Sequence, residues 1–313
     1  MNEKALANFP KYFSTTLIDG ITKTTTTATT SKNNKNPRLR SYVLPLGIEI
    51  ESETWENPKL DETYWEITND GSLRGDHAAE AVSRPVMGED IVKALRNYAD
   101  ATADKDPFTF RCSTHFHLGV LYLGLPSFRG LGALTIMSDN MMYALGNIDR
   151  CRNYNCRPYS LAVQAVDRLT QAVLALESEN FPRLLYVLKE HERYTGTNWC
   201  SLVKHGTVEF RHFPGMKDFD QLLRTANAVL SIGEYAANNS YDDILDLIEL
   251  GPHEFGREVF GNELWQYIVY DTIEQDWYES KELLGFYAQT LQSDGSIRTL
   301  DTLLREGYLI QGD

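Results

Sequence analysis

"GIEIES" (Gly47–Ser52) has the spacing of a core strand, yet Glu49 and Glu51 occupy every second place in it. In a strand, residues i and i+2 point to the same side, so the two carboxylates project together while Ile48 and Ile50 point the other way. The same period-two arithmetic recurs in other short stretches rich in β-branched or aromatic residues. It aligns His115 with His117 in STHFHLGV (113–120) and Glu209 with Arg211 in GTVEFRHF (206–213), and AAEAVSR (78–84) adds Glu80. Four expected strands thus offer polar groups to one sheet face. Unpaired carboxylates are very costly to bury, so the pattern predicts a wet face that holds metal ions. Several carboxylate oxygens together with imidazole suit Mg²⁺ or Mn²⁺ better than a tetrahedral zinc site.

Each signal has a plainer explanation when taken alone. An E-x-E strand is usually the solvated side of an edge strand, Glu209 and Arg211 can be an ion pair, and Glu80 near Arg84 can be a surface salt bridge worth at most ~1 kcal/mol. Asp70 in the NDGS turn is more often a turn residue than a ligand. Joint occurrence within one stretch of about 160 residues is what favours a common site.

Outward from these strands, residues 1–40 form an expected flexible tail, because Ile21–Arg40 is rich in Thr, Asn and Lys and cannot repay the entropy of ordering. Strands are expected in YVLPLGIEI (42–50), AAEAVSR, FTFRCSTHFHLGV (108–120) and GTVEFRHF. Helices are expected at 131–148 and 160–178, where apolar residues recur at helical spacing. Beyond Gly215 the pattern turns almost wholly helical, at 219–239, 242–250, 262–275, 280–292 and 297–310. Strands followed by helices without β-α alternation predict an α+β fold around an antiparallel sheet. The expected division is a catalytic domain over 41–225 and a helical extension over 226–313.

Composition narrows the function. With 313 residues, 42% hydrophobic and 24% charged, the chain has ample core for a globular protein. No run approaches the ~18 apolar residues of a membrane span, and MNEKALANFPKYF lacks the basic and apolar regions of a secretory signal, so the expected compartment is the cytoplasm. A formal charge of −14 repels a phosphate backbone, which argues against nucleic acid as a partner. Cys112, Cys151, Cys156 and Cys200 match no two-residue metal spacing and read as reduced thiols.

The ordered set GIEIE, NDGSL, EAVSRPV, THFHLGV, RYTGTNW and GTVEFRHFPG, over roughly residues 42–225, resembles the amidoligases. These are carboxylate–amine ligases related to gamma-glutamylcysteine synthetase and glutamine synthetase, found in phages as well as cells. The resemblance implies a glutamine-synthetase-like antiparallel sheet and activation of a carboxylate by ATP as an acyl phosphate, which an amine then attacks. It implies that Glu49, Glu51, Glu80, His115, His117 and Glu209 hold divalent metal, and that Glu209 and Arg211 are catalytic. Carboxylates would hold Mg²⁺ (or Mn²⁺) on the phosphates while Arg211 steadies the transferring group. Arg193 and Arg152, with Arg150 and Arg157 nearby, can reach nucleotide or a substrate carboxylate through bidentate bonds; solvated loop arginines are an equally good reading. The implied substrates are a small-molecule or peptide carboxylate and an amine, with a homo-oligomer also conceivable. Two departures stand out: Thr114 precedes the first His where the family often has a small residue, and the Thr-rich leader lies outside the motif set. No GxxxxGK loop exists, and RGLGAL (129–134) lacks the strand context of a dinucleotide fingerprint, so an ATP site here must be built on metal.

Two rivals remain at this level. A metal-dependent amidohydrolase also uses His-x-His on a strand, but that architecture wants repeated β-α units and more His ligands than a chain with seven His supplies so readily. An inactive binding protein on the same fold is the other.

Overall fold

In the computed structural model, which describes residues 44–54, 58–121, 123–189 and 193–292, six strands form one antiparallel sheet. They are β1 (Leu46–Ser52), β2 (Trp65–Thr68), β3 (Ala79–Ser83), β4 (Ser113–Gly119), β5 (Thr197–Asn198) and β6 (Thr207–Pro214), in the order β2-β3-β1-β4-β6-β5. The described residues also contain ten α-helices: α1 (Glu89–Thr102), α2 (Ser127–Gly146), α3 (Val163–Glu177), α4 (Phe181–Lys189), α5 (Ser201–His205), α6 (Phe219–Asn238), α7 (Tyr241–Glu249), α8 (Pro252–Phe260), α9 (Asn262–Trp265) and α10 (Ile273–Gln292). The expected tail at 1–40 and helix at 297–310 lie outside the described residues.

The alternation in β1 divides the sheet into two unlike faces. Leu46, Ile48 and Ile50 are fully buried on one side, and Phe116, Leu118, Val208 and Phe210 join them from β4 and β6. Helices cover this side. Gly233 of α6 lies so close to Leu118 and Leu44 that a Cβ would meet them at 2.8 and 2.9 Å, which lets the helix sit down on the strands. Asp139 of α2 reaches the same side to bond His212 of β6. Residues of α2 are buried nearly all the way round, because β6, α3, α6 and α10 surround it. The other face carries the carboxylates.

Three local expectations differ from the structure. FTFRC is not strand: Cys112 N donates to Thr109 O in a turn, Phe110 is 87% exposed, and β4 begins at Ser113. The expected helix over 262–275 is split: α9 ends at Trp265, and turns in which Tyr267 N donates to Leu264 O and Ile273 N donates to Tyr270 O lead to the start of α10 at Ile273. Helix α1 was not expected, although Ile91, Ala94, Leu95, Tyr98 and Ala99 follow helical spacing and acids occupy its first turn. Helix α6 runs through residues 225 and 226 without a break.

Candidate metal centre

Strand register brings the predicted acids and imidazoles together. Glu49 of β1 stands opposite His115 of β4, His117 opposite Glu209 of β6, and Glu51 opposite Glu80 of β3. Directly opposed residues in a pleated sheet point to the same side, so four strands supply this one face. Gly47 stands beside His117, where a Cβ would press on the imidazole's own Cβ at 3.2 Å. A larger residue there would crowd the ring.

The distances are those of a shared site. His115 Nδ1 lies 3.4 Å from both Glu49 Oε2 and Glu209 Oε1, and His117 Nε2 lies 3.2 Å from Glu49 Oε1 and 4.0 Å from Glu209 Oε1. Three overlapping groups, Glu49–His117–Glu209, Glu49–Glu80–His115 and Glu51–Asp70–Glu80, each present ligand atoms within 4.8 Å of one another. Thus all six predicted ligands converge, and Asp70 joins them. It is both a turn residue, accepting from Ser72 N at 2.7 Å, and a member of the cluster. The sequence signal for it, an acid two residues past a strand whose neighbour carries Glu80, is indistinguishable from an ordinary turn.

Burial and charge act in opposite directions on these acids. Burial pushes Glu49 up, but the hydrogen bonds and charges of His115 and His117 outweigh it and hold the carboxyl well below the usual range. Burial likewise raises Glu209, and the charges of Arg211, His117 and His115 bring it down to about 2. At Glu80, burial and the charges of Glu49, Asp70 and Glu51 outweigh the hydrogen bond of Thr68 and push the carboxyl up to about 8. A carboxyl forced to keep its proton beside three others marks a place short of positive charge. His115 Nε2 and His117 Nε2 are buried without a well-directed hydrogen bond, with carboxylate oxygens of Glu51 and Glu49 at 3.9 and 3.2 Å, and buried polar atoms are normally satisfied. Orphaned imidazole nitrogens among crowded carboxylate oxygens fit divalent cations as the missing partners, with the mixed O and N donors that suit Mg²⁺ or Mn²⁺.

Neighbouring residues hold the clustered acids in place, and of these the sequence singled out only Arg211. Glu209 Oε2 accepts from Asn198 Nδ2 at 2.6 Å and Ser201 Oγ at 2.9 Å, while Oε1 accepts from Arg211 Nη1 at 2.6 Å. Glu51 Oε2 accepts from Ser113 N at 2.7 Å. Glu53, the next acid in the E-x-E-x-E series, is bound by the Arg111 fork, Thr109 Oγ1 and Arg74 N, and so ties the segments before β3 and β4 to the end of β1.

Strand β6 contains an irregularity that matters here. Its register against β4 shifts so that Arg211 and His212 together oppose His115. Such a bulge re-aims side chains: Arg211 stays on the acidic face, while His212 is fully buried beneath it and its Nε2 lies 2.8 Å from Asp139 Oδ1. Gly196 in RYTGTNW fits against that pair, for a Cβ there would lie 2.5 Å from both His212 Nε2 and the Tyr143 hydroxyl oxygen.

The same acids and imidazoles line a cavity of about 1110 Å³, whose lining also includes basic groups. Arg152, Arg193 and Lys204 line it, and no carboxylate among the described residues pairs with them. Arg193 lies over the Tyr194 ring, and Arg157 stacks on Tyr154 without lining the cavity. The cavity therefore joins an acidic cluster to a set of basic side chains.

No curated protein and no solved structure matches the chain at a significant level. Strand β1, with Glu49 and Glu51, precedes the stretch that does find a match. Residues 77–232, which include Glu80, His115, His117, Glu209 and Arg211, match the family model described as "Putative amidoligase enzyme", and the chain belongs to this amidoligase family.

Proposed function

We propose that the protein is an ATP-dependent carboxylate–amine ligase that forms an amide, peptide-like bond through an acyl phosphate, on a sheet of glutamine-synthetase type. Membership of a family of ligase-type enzymes supports this reading. The observation that carries it is the convergence of Glu49, Glu51, Asp70, Glu80, His115, His117 and Glu209 in one cavity whose lining also includes basic groups.

In this proposal Mg²⁺ or Mn²⁺ is held by Glu49, Glu51, Glu80, His115, His117 and Glu209. When bound, such ions neutralise phosphate charge and draw the two reactants to one place. The chain's own groups do the rest. Arg211, fixed to Glu209 and aimed by the bulge, offers its guanidinium to the phosphoryl group in transfer, where charge is spread over three oxygens. Arg193 and Arg152 of the cavity lining take the nucleotide phosphates. Activation converts a poor leaving group, the carboxylate oxygen, into phosphate, so an amine can displace it. The substrates would be a small-molecule or peptide carboxylate and an amine; a monomer or homo-oligomer working in the cytoplasm, or host cytoplasm for a phage protein, fits the charge of −14 and the absence, among the described residues, of any helix long and apolar enough to cross a membrane. A metal-dependent hydrolase on repeated β-α units is disfavoured, since every named strand pair is antiparallel.

The test is calorimetric and enzymatic. Mg²⁺·ATP should bind with a metal requirement, and ADP with phosphate should appear when pools of amines and carboxylates are added. Amide cleavage with metal alone and no nucleotide binding would sink the ligase reading.

A further inference from the structure

Arg150 is a buried guanidinium whose hydrogen-bond partners are all neutral. It is 7% exposed, the one arginine among the described residues that lies in the buried class. Nη2 donates to Ser113 Oγ at 2.9 Å and to Cys156 Sγ at 3.7 Å, Nη1 donates to Cys112 O at 3.4 Å, and Nε has no partner. No carboxylate of a described residue lies within salt-bridge distance of it. By contrast Arg111, Arg129 and Arg211 each hold a glutamate. Burying an uncompensated guanidinium costs several kcal/mol, and this one borders the cavity.

The local backbone is built to hold it there. Asn147 and Asn153 side chains accept from Asp149 N and Asn155 N, which sets two successive 3₁₀ turns, and Asn153 N donates to Arg150 O at 2.8 Å. The sequence GNIDRCRNYN thereby turns Arg150 inward and leaves Arg152 exposed at the same cavity. Ser113 connects the guanidinium to the metal centre, since its hydroxyl accepts from Arg150 and its backbone N–H donates to Glu51.

We propose that Arg150, with Arg152 at the cavity mouth, forms an oxyanion subsite that takes a carboxylate or phosphate group of a reactant as the missing counter-ion. A guanidinium fork matches either group bidentately, and a desolvated fork binds more strongly than a surface one. The ligase reading bears only on which reactant brings the anion; the subsite itself stands on Arg150 and the cavity.

Titration calorimetry in EDTA, with the full chain and no nucleotide, keeps the two readings apart. The probes are inorganic phosphate and succinate. Wild type should bind at least one of them; phosphate alone assigns the subsite to the nucleotide side, and succinate alone to the acid substrate. Arg150→Gln should weaken binding by at least about tenfold, while Lys93→Gln, which removes a charge from an exposed ion pair of α1, should not. Thermal unfolding of Arg150→Gln without anion should be no lower than wild type, because an unpaired buried charge has been removed. Should that variant fail to fold, Arg150→Lys keeps the charge, loses the fork and should bind several-fold more weakly. Absence of binding to both probes in wild type, or unchanged binding in the folded Arg150 variants, overturns the proposal whatever the ADP assay shows.

Discussion

At the scale of single residues, the two ends of the acid cluster should respond differently to the same chemical change. Among the described residues Glu49 has ion-pair partners only in the two imidazoles, and its side chain is 25% exposed. Glu49→Gln should therefore abolish metal-dependent ADP release while moving the unfolding temperature of the metal-free protein by only a few degrees, as read by calorimetry. Glu209 is buried, pairs with Arg211 and also receives Asn198 and Ser201. Glu209→Gln leaves the partly buried Arg211 guanidinium without its counter-charge, so it should lose up to about 3–5 kcal/mol of stability along with activity. Equal stability losses in both variants would mean that the cluster is mainly structural. The E-x-E and H-x-H spacings made these residues visible before any coordinates, since a two-residue period directly encodes a shared face. Asp70 and Arg150 were not visible in this way, because a turn acid and a loop arginine look alike whether or not they face a cavity.

At the scale of elements, the bulge in β6 and the segment carrying Gly196 form one unit. Arg211 N donates to Gly196 O at 2.7 Å and Gly196 N donates to Arg157 O at 2.9 Å, so this backbone has little room to shift. Gly196→Ala would force a Cβ into His212 and Tyr143, and it should cost about 1–3 kcal/mol and misplace Arg211. Gly285→Ala supplies the contrast: no atom of the described residues lies within 4 Å of the added carbon in α10, and removing a mid-helix glycine should stabilise by about 0.5–1 kcal/mol. Denaturant unfolding checks both; a neutral Gly196→Ala would contradict the packing described. Helical and strand periodicity located most of the elements around the site, but the bulge left no mark in GTVEFRHF, where His212 reads as one more alternating residue. Phe108–Cys112 and 266–272 were misread because local apolar content, without knowledge of what covers it, suits strand, helix and buried loop alike.

At the scale of the whole molecule, the acid cluster couples stability to pH. Folded Glu80 keeps its proton up to about pH 8, whereas unfolded chain releases it near 4.5. Between those values the folded state binds the extra proton, so stability falls as pH rises. Glu209, at about 2 when folded, acts in the other direction and contributes stability that is lost as pH falls below about 4.5. In EDTA the unfolding temperature should therefore peak near about pH 5 and decline toward about pH 8; added Mg²⁺ should flatten the decline, because a cation relieves the repulsion that holds the proton on Glu80. A flat or rising profile from about pH 5 to 8 in EDTA would refute this account of the centre.

The sequence alone determined the mixed α/β class, the antiparallel character of the sheet, the family, and the set of side chains that share a face. It could do so because period-two and helical spacing are local properties, written in consecutive residues. Tertiary structure decided how the strands line up, placing Glu51 against Glu80 and His117 against Glu209 from positions far apart in the chain. It also decided that Asp70 joins the acid cluster and that Arg150 is buried with no counter-ion among the described residues, since burial and counter-ions depend on segments that meet only in the folded chain.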